Sequence, residues 1–193
     1  MEFLARGAAE KLGIHLDRIQ IEQFHQYYQE MVDWNRRVNL TKVTAAEQVQ
    51  RRHFLDSLAV STALPKSSLN RGSSVLDVGS GAGFPGLPLK IAFPGLRLTL
   101  IDSIGKKTDF LEHVASVLGL DGVEVRKGRA ETLARDHALR ESFEAVLSRA
   151  VARLPVLAEL SLPFCKLGGL VVAQKGHGVE DEVREAHRAI GEM

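Results

Sequence analysis

The sequence predicts an α/β fold: a parallel β-sheet with helices on both faces, preceded by a helical extension. Three observations carry that reading. Up to about residue 72 the apolar residues recur at helical spacing. Beyond it, short apolar strands alternate with helical segments at intervals that suit parallel crossovers. The first of those strands runs directly into "GSGAGFPG", residues 79–86, at the end of the sheet where such folds bind ligands.

In the extension, residues 1–71, "DRIQIEQFHQYYQEMVDWN" places Asp17 as an N-cap with Gln20 three positions later. Ile21, Phe24, Tyr28, Met31 and Asn35 form its apolar stripe. "RRHFLDSLAVSTAL" puts Leu55, Leu58, Ala59 and Thr62 on another stripe, and "LPKSSLNRGSS" reads as a linker. The second unit, residues 72–193, begins with the strand "SVLDVG" and the helix start "GLPLKIAF". "LRLTLID" is a strand. "GKKTDFLEHVASVLGL" is a helix with Phe110, Val114, Val117 and Leu118 inward. "VEVRKG" and "EAVLSRAV" are strands, "LPVLAELSLPFCK" is a helix interrupted at Pro163, "GLVVAQKG" is a strand and "GVEDEVREAHRAIG" is a polar helix.

At 193 residues, 45% hydrophobic and 25% charged, the chain has the size and composition of a globular domain with a small extension. No apolar run approaches the ~20 residues of a membrane span. "MEFLARGAAEKLG" lacks a signal core, so a cytoplasmic chain without membrane contact is expected. The single cysteine, Cys165, can form no internal disulfide or metal cluster and is expected in the core. A net charge of +1 says little. The basic clusters at Arg36-Arg37, Arg51-Arg52-His53, Lys106-Lys107 and Arg126-Lys127-Arg129 would bind phosphate if several converged on one cleft.

The glycine loop narrows the ligand. A triphosphate loop needs a lysine after its last glycine, and Leu87 and Pro88 stand there instead. The dinucleotide pattern is nearly present. Asp77 gives D-x-G-x-G-x-G, and a carboxylate facing the cleft suits an ammonium-bearing ligand and repels a pyrophosphate. The glycines are expected to present backbone amides to the ligand. Asp102 ends the next strand, where an acid accepts ribose hydroxyls or caps the following helix. Together Asp77 and Asp102 favour S-adenosylmethionine over NAD.

"DVGSGAGFPGLPL", "LIDSIGKKTDFL", "VLSRAVA" and "QKG", with "WNRRVNLTKV" and "RRHFLDSL" upstream, resemble the RsmG (GidB) family of 16S rRNA guanine-N7 methyltransferases. The resemblance runs from Met31 to Gly176. It implies a Rossmann-like class I methyltransferase sheet with an N-terminal helical extension, S-adenosylmethionine as cofactor, and 16S rRNA or a small ribosomal subunit particle as partner. By that resemblance Gly79, Gly81, Gly83 and Phe84 line the methionine and ribose side. Asp102 and Ser103 sit near the ribose, Ala130 and Glu131 meet the adenine, and Arg149 lies near the transferred methyl. Guanine N7 carries a lone pair and no proton, so no acid or base is assigned, and no metal.

On the RNA side, Arg149 and Lys175 are placed to meet a phosphate or guanine O6/N7. Arg52, His53 and Asp56 share a helix face, as RNA contacts or as a local ion pair. Asn39 caps or binds, and Trp34 packs between helices. The family's sheet continues with two more strands, whereas nothing after "QKG" reads as one. Gly169 to Gln174 is therefore expected to be an exposed sheet edge, or one covered by a helix or a second chain, on an otherwise monomeric protein. The other readings are a class I methyltransferase with another substrate, a non-catalytic rRNA-binding or assembly factor, and an NAD-dependent oxidoreductase.

Overall fold

A computed structural model describes residues 1–192. Its N-terminal part holds α1 (Glu2–Leu12), α2 (Arg18–Asn35), α3 (Ala46–Val49) and α4 (Asp56–Ala59), with a π-helical stretch, Gln50–Leu55, joining the last two. The sheet part follows as β1 (Ser74–Val78), α5 (Gly86–Ala92), β2 (Arg97–Asp102), α6 (Gly105–Val117), β3 (Val123–Lys127), α7 (Ala130–Leu133), β4 (Phe143–Arg149), α8 (Leu154–Ser161), β5 (Cys165–Gln174) and α9 (Glu180–Glu192).

The five strands are all parallel, in the order β3-β2-β1-β4-β5. The chain winds outward from β1 to β3, then returns to place β4 on the other side of β1. Above that reversal the loops diverge and leave room for ligands.

Strand alternation sorts the core into two faces. Val75, Leu98, Leu100, Ala145 and Leu147 join a cluster with Leu4, Phe24, Tyr27, Met31, Leu87 and Phe110. Leu76, Val78, Ile101 and Val146 join Phe143 and Phe164 on the opposite face. The N-terminal helices therefore share a core with the sheet. Asp17 caps α2 reciprocally with Gln20, as the sequence predicts. Gln20 also donates to Ile91 O at 2.8 Å, and Gln23 to Leu118 O at 2.9 Å, which docks α2 on the C-terminal ends of α5 and α6.

Several side chains depart from the predicted stripes. Tyr27 is buried where Tyr28 was expected. The π-helical stretch makes His53, Phe54 and Leu55 successively buried, which regular α spacing does not produce. Thr62 is exposed, Val117 is 37% exposed, and Cys165 is half-buried rather than in the core. Trp34 packs against Phe110 and His113, as expected.

β5 begins at Cys165, earlier than predicted. It pairs with β4, and among the described residues no strand lies along its other side, so the expected edge is present. Leu167, near the start of β5, is 95% exposed. Among the described residues no helix is long and apolar enough to cross a membrane.

Candidate active site

Two clefts open at the carboxyl ends of the strands. The first, of about 300 Å³, is lined by Gly79, Asp102, Ser103, Lys107, Ala130 and Glu131, among others. The second, of about 460 Å³, is lined by Asp56, Arg149, Gln174, Lys175 and His177. Ala150 belongs to both and holds φ at 55°. A side chain with a Cβ is uncommon there, so the junction of the clefts stores backbone strain.

The glycine loop turns its amides inward, contrary to the sequence expectation. Gly79 and Ser80 donate to Ile101 O, Gly83 and Phe84 to Ser80 O, and Leu87 to Gly83 O. Gly81 N–H donates to Asp102 Oδ2 at 3.0 Å, and Gly86 N–H to Asp77 Oδ2 at 2.9 Å. A loop with its amides engaged in this way is a poor pyrophosphate nest.

Asp102, 6% exposed, sits on the floor of the first cleft. Its Oδ1 also accepts from Ile104 N–H at 2.9 Å, and Lys107 Nζ lies 3.8 Å from Oδ2. The carboxylate thus supports the loop and the start of α6. A carboxylate oxygen accepts more than one hydrogen bond, so this side chain can also receive ligand hydroxyls. Ser103, Ala130 and Glu131 line the same cleft.

Asp77 does not face that cleft. Strand alternation puts it on the same face as Val75, beneath α5, and it is 0% exposed. Its Oδ1 has no hydrogen-bond partner among the described residues. Burial pushes its pKa up to about 7, against the lowering effects of the Gly86 N–H and the Arg149 charge. Phe84, 7% exposed, is likewise a packing residue, stacked with Tyr27 and His53 under the loop.

Gly83 is fixed by sterics. Its φ is 94°, and a Cβ would lie 2.6 Å from the Tyr27 hydroxyl, with Leu87 closer still. Tyr27 in turn donates to Ala82 O, so the loop rests on α2. Gly83→Ala is expected to cost about 2–5 kcal/mol, the sum of left-handed strain and overpacking. Chemical denaturation checks this, and a loss under 1 kcal/mol would contradict the steric account.

Arg149, which the resemblance assigns to the cofactor site and the sequence to the RNA side, lines the second cleft and not the first. Its Nη2 donates to His53 Nδ1 at 2.7 Å, and Nη1 reaches Asp56 Oδ2 at 3.3 Å and Ser57 Oγ at 3.5 Å. The guanidinium also lies over Phe84, 5.3 Å from the ring centre. His53 Nε2 lies 2.9 Å from Thr41 Oγ1. Since Nδ1 accepts from an arginine, the ring is neutral with its proton on Nε2. Burial first, then the Arg149 charge, lowers the His53 pKa to about 4.

Lys175 is not free to meet a phosphate. It pairs with Glu182 of α9 at 2.8 Å and donates to Ala152 O at 2.9 Å. Arg52 is exposed and makes no ion pair among the described residues; Asp56 pairs with Arg149 instead. The expected local ion pair is therefore absent. Asn39 is exposed, and Asn35 accepts from the Leu40 and Thr41 amides. Sequence reasoning missed Tyr27 and Ala150, and named Lys107 only as part of a basic pair; only an apolar stripe shifted by one residue would have exposed Tyr27.

The family model for rRNA small subunit methyltransferase G, GidB, matches residues 20–191. A protein of Halalkalibacterium halodurans described as ribosomal RNA small subunit methyltransferase G is 46% identical over 188 residues, covering 97% of this chain and 78% of that protein. One of Roseiflexus sp. with the same description is 50% identical over 187 residues, covering 95% and 77%. Among solved structures, a SAM dependent methyltransferase from Aquifex aeolicus superposes with a TM-score of 0.55 at 20% identity, covering 80% of this chain and 85% of that one. That likeness establishes the fold.

Proposed function

The chain belongs to the rRNA small subunit methyltransferase G (GidB) family, and from that premise we propose that it transfers a methyl group from S-adenosylmethionine to N7 of a guanine in 16S rRNA. The observation that carries the reading is the pair of clefts meeting at Ala150, one floored by Asp102 and the other walled by Arg149. Such a junction lets a methyl donor and a base approach each other from separate sites.

The first cleft fits the cofactor. Its engaged loop amides disfavour a pyrophosphate, while Asp102 offers acceptors for ribose hydroxyls. Gly79, Ser103, Ala130 and Glu131 would enclose the nucleoside. When bound, S-adenosylmethionine supplies an electrophilic methyl on a sulfonium. Gly81, Gly83 and Asp77 act from behind, as the frame that holds the loop. The protein need move no proton, because guanine N7 attacks through its free lone pair. Its task is alignment, which can supply ~7–11 kcal/mol. Arg149 is placed to donate to guanine O6.

In this reading, residues 72–193 bind the cofactor, and residues 1–71 contribute Asp56 to the base cleft; His53, expected as an RNA contact, is buried and supports Arg149 from behind with Ser57. Naked rRNA or a small-subunit particle is the partner, met in the cytoplasm by a monomer that can associate through the β5 edge. Mapping N7-methylguanine in small-subunit rRNA with and without the protein tests the reaction; an unchanged map overturns it.

Calorimetry should give micromolar binding of S-adenosylmethionine, about −8 kcal/mol. Asp102→Ala should weaken it by about 1.5–3 kcal/mol, the range for hydrogen bonds to a charged group. Binding of NAD alone would end the cofactor assignment. Arg52, exposed and unpaired among the described residues, is assigned to an RNA phosphate. Arg52→Ala should flatten the logarithmic salt slope of RNA binding by about 0.7. An unchanged slope would remove Arg52 from the interface.

A further inference from the structure

We propose that Asp56 is a specificity-determining residue that, beside Arg149, reads the edge of the target guanine and rejects adenine. The inference rests on the function proposed above.

The second cleft presents a guanidinium and a carboxylate side by side, with Arg149 Nη1 3.3 Å from Asp56 Oδ2. That is a row of donors followed by a row of acceptors. Guanine presents the complementary row around its perimeter, across two adjoining edges: N7 and O6 accept, then N1–H and N2–H₂ donate. Adenine inverts the middle of the row, with a donor at N6 and an acceptor at N1. If N7 faces the cleft junction and O6 meets Arg149, the next groups around the perimeter are the N1 and N2 donors. The side chain next to Arg149 in the wall is Asp56.

Three features fit a ligand-reading role better than a purely structural one. The Asp56 side chain is 50% exposed while that of Arg149 is 17% exposed, so the carboxylate projects into the cleft beyond the buried cation. Its Oδ1 has no hydrogen-bond partner among the described residues, and only Oδ2 meets Arg149. Arg149 is already held at the shorter distance of 2.7 Å by His53, so it does not depend on Asp56 for its place. The backbone beneath is also fixed: Asp56 O accepts from Gln174 Nε2 at 2.8 Å, tying α4 to β5.

The test pairs a protein change with a base change. The methylated guanosine, once mapped, is replaced by inosine, which keeps N7, O6 and N1–H but lacks the N2 amino group. Wild-type protein should methylate the guanosine RNA at least about 10-fold faster in kcat/KM than the inosine RNA, the loss of one hydrogen bond to a charged acceptor. Asp56→Ala should slow transfer to guanosine about 10- to 100-fold and bring the two substrates within about twofold of each other. A residue that only positions Arg149 would slow both substrates equally, and that result overturns the proposal. So does a wild-type protein that fails to distinguish the two bases. S-adenosylmethionine binding, unchanged in the variant, certifies its fold, and Asp56→Asn, which keeps the shape and one acceptor, should fall between. Wild-type protein that methylates no guanine N7 would instead defeat the reading of function, and the proposal with it.

Discussion

Arg149→Ala is expected to lower methyl transfer by about 10²-fold, the loss when a group that aligns the base with the methyl is removed. The fold should suffer less. Asp56 is half-exposed, and an exposed ion pair contributes at most about 1 kcal/mol. His53 loses the Arg149 donor, but its ring can carry the proton on Nδ1 instead and donate to Arg52 O, 3.2 Å away, so the structural cost there is small. Arg149→Lys separates the two effects. A single ammonium cannot reach His53 and Asp56 together while lying flat over Phe84, so the charge is kept and the geometry is lost. The lysine variant should therefore fold nearly as well as wild type and transfer nearly as poorly as the alanine variant. Removing the cation should also raise the His53 pKa from about 4, a shift that imidazole NMR signals report. Full activity in the lysine variant would show that charge alone suffices.

The sheet was legible because its strands are short apolar runs with glycine or acidic ends, and periodicity finds those without long-range information. "SVLDVG", "LRLTLID" and "VEVRKG" became β1, β2 and β3 within a residue or two. The first cleft was legible in part, since Asp102, Ser103, Ala130 and Glu131 line it as the family resemblance implied. Asp77 was misplaced although the needed rule was available. In β1 the core residues Leu76 and Val78 point one way, and a residue between them points the other. The glycine amides were misread because their partners, Ile101 O and the Asp102 carboxylate, lie across the sheet. Lys175 and Glu182 likewise meet only after β5 and α9 have folded back. Such pairings carry no local signal. The π-helical turn at Gln50–Leu55 belongs to the same class, since it is the packing of His53 on Phe84 and Arg149 that defines that turn's buried face.

Asp77 and His53 should nearly cancel each other's pH dependence between about pH 4 and 6.5, and Asp77→Asn should reveal it. Asp77 has a folded pKa raised to about 7, against about 3.9 unfolded. Its contribution is therefore fully present below about pH 4 and is lost as pH rises toward 7, where the folded state must ionise a carboxyl with one unpartnered oxygen. His53 runs the other way. Its folded pKa is lowered to about 4, against about 6.5 unfolded. Its contribution is fully present above about pH 6.5 and is lost as pH falls toward 4, because protonation would charge a buried ring and set that charge against Arg149. Over the shared window the folded chain holds a proton on Asp77 that the unfolded chain has released, and lacks one on His53 that the unfolded chain has bound. The two slopes are opposite and of similar size, about 1.4 kcal/mol per pH unit each. Asp77→Asn removes only the first. The difference in unfolding free energy between variant and wild type should thus rise with pH, by about 4 kcal/mol in total from pH 4 to 7, and then level off. Urea melts of both proteins at intervals from pH 4 to 8 measure it, with the other titrating groups common to both curves. A difference that stays constant across that range would mean that Asp77 titrates as an ordinary carboxyl, and that its buried oxygen finds a partner in solution.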